Sequence, residues 1–142
     1  MAAPLTLRII VEGPTRGVAF ALQKGAGSAY ECVQTQRSEG GDLTFEFQPV
    51  IKAGVTDPPA SLSGPFVQGP PKQRFVYLDI GTYAGQGDSP WGRRLKVPLE
   101  GISAKMVQAG GVLEARVPGT GRDGGPNCAT VKDFDGWRAA GS

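Results

Sequence analysis

The residues best equipped for chemistry lie between Tyr77 and Arg94: Tyr77, Asp79, Tyr83, Asp88, Trp91, Arg93 and Arg94. An aromatic ring beside paired arginines can stack on a planar group while the guanidiniums hold a carboxylate or phosphate. Asp79 stands out as an ionisable residue inside the otherwise apolar run Phe75-Val76-Tyr77-Leu78-Asp79-Ile80. If buried, it needs a partner such as an arginine, and a structural ion pair explains it as well as catalysis does. The second chemical feature is Gly119-Thr120-Gly121-Arg122-Asp123-Gly124, a literal G-x-G-x-x-G. A dinucleotide site would need a helix directly after it and an acidic residue about 20 positions on. Gly125-Pro126-Asn127 is a poor helix start, and 18 residues remain after Gly124. What survives is an anion-binding nest with Arg122 as a donor, weighed against a plain turn holding a solvated Arg122–Asp123 pair.

Absence constrains the chemistry further. There is no histidine, hence no ordinary general base near neutral pH, no imidazole metal ligand and no Ser-His-Asp or Cys-His site. Cys32 and Cys128 alone cannot build a structural zinc centre, and no acidic spacing resembles a calcium loop. No metal and no cofactor is therefore expected, and a free Cys128 reads better as buried than as a nucleophile. With 15 basic and 13 acidic residues the net charge is +2. Residues 1–71 balance at −1 and residues 72–142 at +3, too weak a bias for a nucleic-acid stripe. Met1 to Val11 lacks a basic lead and is interrupted by Arg8, so it does not read as a signal peptide; no apolar run is long enough to span a bilayer. These features and the sparse cysteines suggest a cytoplasmic protein with reduced thiols.

The elements that must position these residues are strands. Leu5, Leu7, Ile9 and Val11 alternate with Thr6, Arg8 and Glu12, Ile10 being out of phase. Val18, Phe20 and Leu22 share a face opposite Ala19, Ala21 and Gln23, and the short Gly13–Gly17 turn suggests a β-hairpin. Tyr30 to Arg37 is a third strand; Leu43, Phe45 and Phe47 begin a fourth that could run to Ile51. Short connections predict an antiparallel meander for these four. Residues 53–73 hold five prolines and no strand period, with Phe66 and Val67 expected to pin them to the body. Phe75 to Ile80 reads as a central strand, Arg94 to Val97 as a strand ending at Pro98, and Val112 to Val117 as another. A short helix is expected near residues 102–108, capped by Ser103 and stopped by Gly110-Gly111. Ala129-Thr130-Val131, Phe134 and Trp137 should dock the tail. With 22 glycines and 12 prolines serving as turns, the pattern predicts one mainly β domain over residues 1–142. It has about seven or eight strands in a small antiparallel barrel or a two-sheet sandwich.

Three stretches carry a family resemblance: Val11-Glu12-Gly13-Pro14-Thr15-Arg16-Gly17-Val18-Ala19-Phe20-Ala21-Leu22-Gln23, then Gly64-Pro65-Phe66-Val67-Gln68-Gly69-Pro70-Pro71 running on to Arg74-Phe75-Val76-Tyr77, and Pro118-Gly119-Thr120-Gly121-Arg122-Asp123-Gly124-Gly125-Pro126. Over roughly residues 5–137 the chain resembles a family of small bacterial proteins catalogued only as a domain of unknown function. The resemblance implies a bacterial, cytosolic protein and brings no activity or site residues.

The residues themselves favour a non-enzymatic binding module for a small anionic or aromatic molecule. Its site would combine Tyr77, Asp79, Trp91, Arg93, Arg94 and Arg122 if the long loops meet at one end of the sheet. The alternatives are a protein-interaction or homo-oligomerisation domain using exposed strand edges, and a histidine-free isomerase or hydrolase using Asp79 or Asp123.

Overall fold

Period-two alternation builds most of the molecule. The computed structural model describes residues 4–14, 16–26, 29–82, 91–118, 129–130 and 136–140. Strand β1 (Leu5–Glu12) buries Leu5, Leu7, Ile9 and Val11, and β4 (Leu43–Phe47) buries Leu43, Phe45 and Phe47. The other long strands are β2 (Val18–Ala26), β3 (Ala29–Arg37), β7 (Phe75–Thr82), β8 (Trp91–Pro98) and β9 (Gly111–Pro118). Two-residue strands complete the set: β5 (Val50–Ile51), β6 (Leu62–Ser63), β10 (Ala129–Thr130) and β11 (Arg138–Ala139).

Two sheets face each other. One has the order β11-β9-β1-β4, the other β10-β8-β7-β2-β3, and β5-β6 forms a separate ribbon. A single apolar cluster joins them, with Leu7, Ile9, Phe45, Leu113 and Val117 from the first sheet and Phe20, Leu22, Val76, Leu78 and Val97 from the second. Each such Val, Leu, Ile or Phe, fully withdrawn from water, contributes about 1.5–3 kcal/mol. Trp137 closes the core from the tail, its indole N–H donating to the Pro98 carbonyl at 2.9 Å.

The sandwich alternative describes this fold; the sheets do not close on one another, so the barrel does not. Nor is the pairing purely antiparallel, because β1 runs parallel to β9 and β8 parallel to β10. The expected β1–β2 hairpin and four-strand meander are also corrected. β1 pairs with β4 and β9, whereas β2 pairs with β3 and β7 in the opposite sheet. The chain thus passes from one sheet to the other between β1 and β2. Alternation reports which face of a strand is buried, and says nothing of which neighbour supplies its hydrogen bonds. The fourth strand does not continue to Ile51. Proline 49 has no N–H to offer a ladder, and Val50–Ile51 turns away to pair with β6.

Other expectations hold. Phe66 and Val67 pack on the core, Phe66 at 5.2 Å between ring centroids from Phe47. Helix α1 (Ala104–Ala109) begins at Ser103, whose Oγ accepts from the Met106 N–H at 3.2 Å. Gly110, at φ +68°, ends it and returns its N–H to the carbonyls of Met106 and Val107. No helix among the described residues is long and apolar enough to cross a membrane.

The outer edge of β4 is closed by side chains. A bulge in β3 opposite Phe20–Leu22 places Gln34 at φ +54°. Its amide donates to the Glu46 carbonyl at 2.7 Å and accepts from the Glu46 N–H at 3.3 Å, while Gln36 donates to the Thr44 carbonyl at 2.7 Å. The glutamines therefore occupy backbone groups that an incoming strand would use.

Candidate functional site

Strand β7 lies between β8 and β2 and is structured on both faces. Val76 and Leu78 enter the core; Phe75, Tyr77 and Asp79 share the other face. On β2 the matching face carries Ala19, Ala21 and Gln23, all 1% exposed or less. Asp79 is 3% exposed and sits in register with Ala21 on one side and Arg94 on the other. One of its partners is Gln23, whose Nε2 donates to Oδ2 at 3.0 Å. Gln23 in turn accepts from Gln68 Nε2 at 2.9 Å. Paired backbone hydrogen bonds to Phe75, at 2.8 and 2.9 Å, hold Gln68 in place. A buried carboxylate is tolerated when donors surround it, and this row supplies one.

Four residues toward the start of β7 from Asp79, the same face opens into a cleft of about 250 Å³ lined by Gln73, Arg74, Phe75, Lys96, Pro98 and Glu100. Phe75 pairs with Pro98 and Tyr77 with Lys96 across β7 and β8. Lys96 Nζ stands 4.4 Å from the centroid of the Phe75 ring, which lies 4.7 Å from that of Tyr77 at 59°. Arg74 donates from Nη1 to the Gly69 carbonyl at 2.7 Å, and its buried Nε has no hydrogen-bond partner among the described residues. Neither Arg74 nor Lys96 forms an ion pair among the described residues. The cleft therefore presents two cations without an ion-pair partner among the described residues, Lys96 standing over the Phe75 ring, and Glu100 is the only acidic residue among the described ones that line it. Such an arrangement can hold an anion.

The charges on the outer face of the other sheet satisfy one another instead. Glu46, Arg8, Glu114 and Arg138 stand in register on β4, β1, β9 and β11. Arg8 bonds Glu46 at 2.6 Å and Glu114 at 3.0 Å. The Glu46 hydrogen bond, then that to Glu114, raises the Arg8 guanidinium above the ordinary arginine value against the opposing desolvation. The adjoining hollow, about 70 Å³ between Glu114, Arg116, Gly136 and Arg138, has less room, and two of its three charged residues are already paired, Arg116 with Glu12 at 3.2 Å and Glu114 with Arg8 at 3.0 Å. Among the described residues no cluster of acidic or cysteine side chains could hold a metal.

Of the residues expected to form a site, Tyr77 borders the cleft and Asp79 lies deeper on the same face, in the glutamine row. Trp91, Arg93 and Arg94 belong to β8, where the register sets them against Gly81, Ile80 and Asp79; their side chains lie outside the described residues. Arg122, Asp123, Cys128, Tyr83, Asp88 and Phe134, with the Gly119–Asn127 loop, lie outside the described residues as well. Sequence reasoning missed Arg74, Phe75, Lys96, Gln23 and Gln68. Two signals pointed to them. Phe75, Tyr77 and Asp79 are spaced two apart, so they share a face, and the supposedly outward face of β2 carries alanines, which marks it as covered.

A family model described as a family of unknown function (DUF5990) matches residues 5–140, so the chain belongs to that family. Neither a curated protein nor a solved structure matches it.

Proposed function

We propose that this chain is a non-enzymatic binding module for a small anionic molecule, held in the cleft at the start of β7. The observation that supports this is the pair Arg74 and Lys96, which line one cleft with Phe75 and have no carboxylate partner among the described residues. A carboxylate or phosphate would accept from Lys96 Nζ and from the Arg74 guanidinium, and a planar ligand would extend toward Tyr77. Trp91, Arg93 and Arg94 lie further along β8, opposite Gly81, Ile80 and Asp79, and are not part of this cleft. Acid–base chemistry is not part of the proposal, since Asp79 does not line the cleft and its carboxylate is engaged by Gln23. Association through the β4 edge has less support, because Gln34 and Gln36 occupy it. The family resemblance and the sparse cysteines favour a bacterial cytoplasm as the setting.

Calorimetric titration with inorganic phosphate, pyrophosphate, citrate and benzoate tests the reading. At least one should bind the wild type, and Lys96→Met should weaken it about tenfold, the worth of one charge-assisted hydrogen bond. Arg16→Met, on an exposed turn far along the chain, should leave binding unchanged. Binding by none of the four, or equal binding by wild type and Lys96→Met, overturns the proposal.

A further inference from the structure

A second hollow lies away from this cleft, between the loop after β5 and helix α1. It measures about 210 Å³ and is lined by Ile51, Val55, Thr56 and Ser61 from the chain after β4 and by Ala104, Val107 and Gln108 from the helix. Ala104, Val107 and Gln108 are spaced three and four apart, so they share one face of the helix. Ile51 is 41% and Val55 36% exposed, so apolar surface is left in water at the mouth. The floor includes Ser61, which is 2% exposed and whose hydroxyl has no hydrogen-bond partner among the described residues. Its backbone is fully engaged: the N–H donates to Asp57 at 3.1 Å and the carbonyl accepts from Lys52 at 2.8 Å.

A buried hydroxyl without a partner weakens the free protein, and alanine in its place would remove that penalty. An unmet donor in a mostly apolar hollow is also the arrangement by which ligand pockets orient a ligand: mostly apolar walls and a few placed polar groups, here Ser61 beside Thr56 and Gln108. From these two features we infer that the groove between the β5 loop and α1 binds a small apolar molecule carrying one hydrogen-bond acceptor, taken by the Ser61 hydroxyl. Rotation about the single χ1 bond turns the hydroxyl to the acceptor. The site shares no residue with the anion cleft and stands independently of it.

The test is an amide-resolved NMR titration of the full chain with acetophenone, using ethylbenzene as a probe of similar shape without the acceptor. Acetophenone should give saturable shifts at residues 51–61 and 104–108, and bind at least fivefold more tightly than ethylbenzene. Ser61→Ala should raise the melting temperature of the free protein and bring acetophenone down to the affinity of ethylbenzene. Ala104→Leu, which fills the groove from the helix side, should abolish both. The inference is overturned by any of three results: no saturable shift in those segments, equal acetophenone affinity in wild type and Ser61→Ala, or a lower melting temperature for Ser61→Ala. Shifts there that follow protein concentration without probe would also overturn it, by assigning the groove to a second copy of the chain. Phosphate and carboxylate binding reads out at residues 73–75 and 96–100, so failure of one site is distinct from failure of the other.

Discussion

Replacing Gly69 by alanine tests how the cleft beside Phe75 is held in shape. Gly69 lies at φ +90°, a conformation that L-residues rarely adopt. A Cβ there would stand 2.5 Å from Cε2 and 2.8 Å from Cδ2 of Phe75, and 2.6 Å from the Gln73 carbonyl oxygen. The backbone conformation alone costs about 1–2 kcal/mol for a residue with a Cβ. Relieving the overlap requires the ring and a backbone carbonyl to move together, and overpacking of this kind costs about 1–3 kcal/mol. The expected loss is therefore about 2–5 kcal/mol, or a fall in Tm of roughly 6–20 °C for a chain of this size. Gly54→Ala is the control. Gly54 has φ +81° and nothing within 4 Å of its would-be Cβ, so it carries only the backbone component. Urea unfolding of both variants isolates the overlap by difference, expected at about 1–3 kcal/mol. Adding Phe75→Leu to Gly69→Ala should recover part of the loss, because the ring edge is the nearest obstacle. If Gly69→Ala and Gly54→Ala lose the same stability, the contact between the turn and the Phe75 ring does not constrain the cleft, and the reasoning fails.

The buried polar row makes a second prediction. Gln23→Leu removes a donor from Asp79 and an acceptor from Gln68, and should cost about 2–3 kcal/mol by urea unfolding. Combined with Gln68→Ala it should fall short of additivity; full additivity would mean that the row is not a unit. Gln34→Gly with Gln36→Ala uncovers the edge of β4 and should produce concentration-dependent association in light scattering, whereas a monomer at every concentration would show that the amides do not protect it. Phe45→Ala, at a position with no exposed surface in the shared core, should lose about 3–5 kcal/mol, and a loss below about 1 kcal/mol would contradict the packing described.

What the sequence determined by itself is local. Alternation at Leu5, Leu7, Ile9 and Val11, and again at Leu43, Phe45 and Phe47, marks the buried faces, because a strand's side chains alternate whatever lies next to it. Ser103 and Gly110 bound the helix because capping is settled within one turn. Tyr77 and Asp79 were legible as site candidates because their types stand out in an apolar run. Tertiary structure alone decided the rest. A short glycine turn serves a hairpin or an arch between sheets equally well, so the partners of β1 and β2 are absent from their own pattern. The Gln68–Gln23–Asp79 row joins residues 45 and 56 positions apart, and each is an ordinary polar residue until the register aligns them. Arg74 and Lys96 read as solvated charges until the pairing of β7 and β8 brings them into one cleft with Phe75. Burial pattern is written along one strand; a site made of single residues from several strands exists only once their register is chosen.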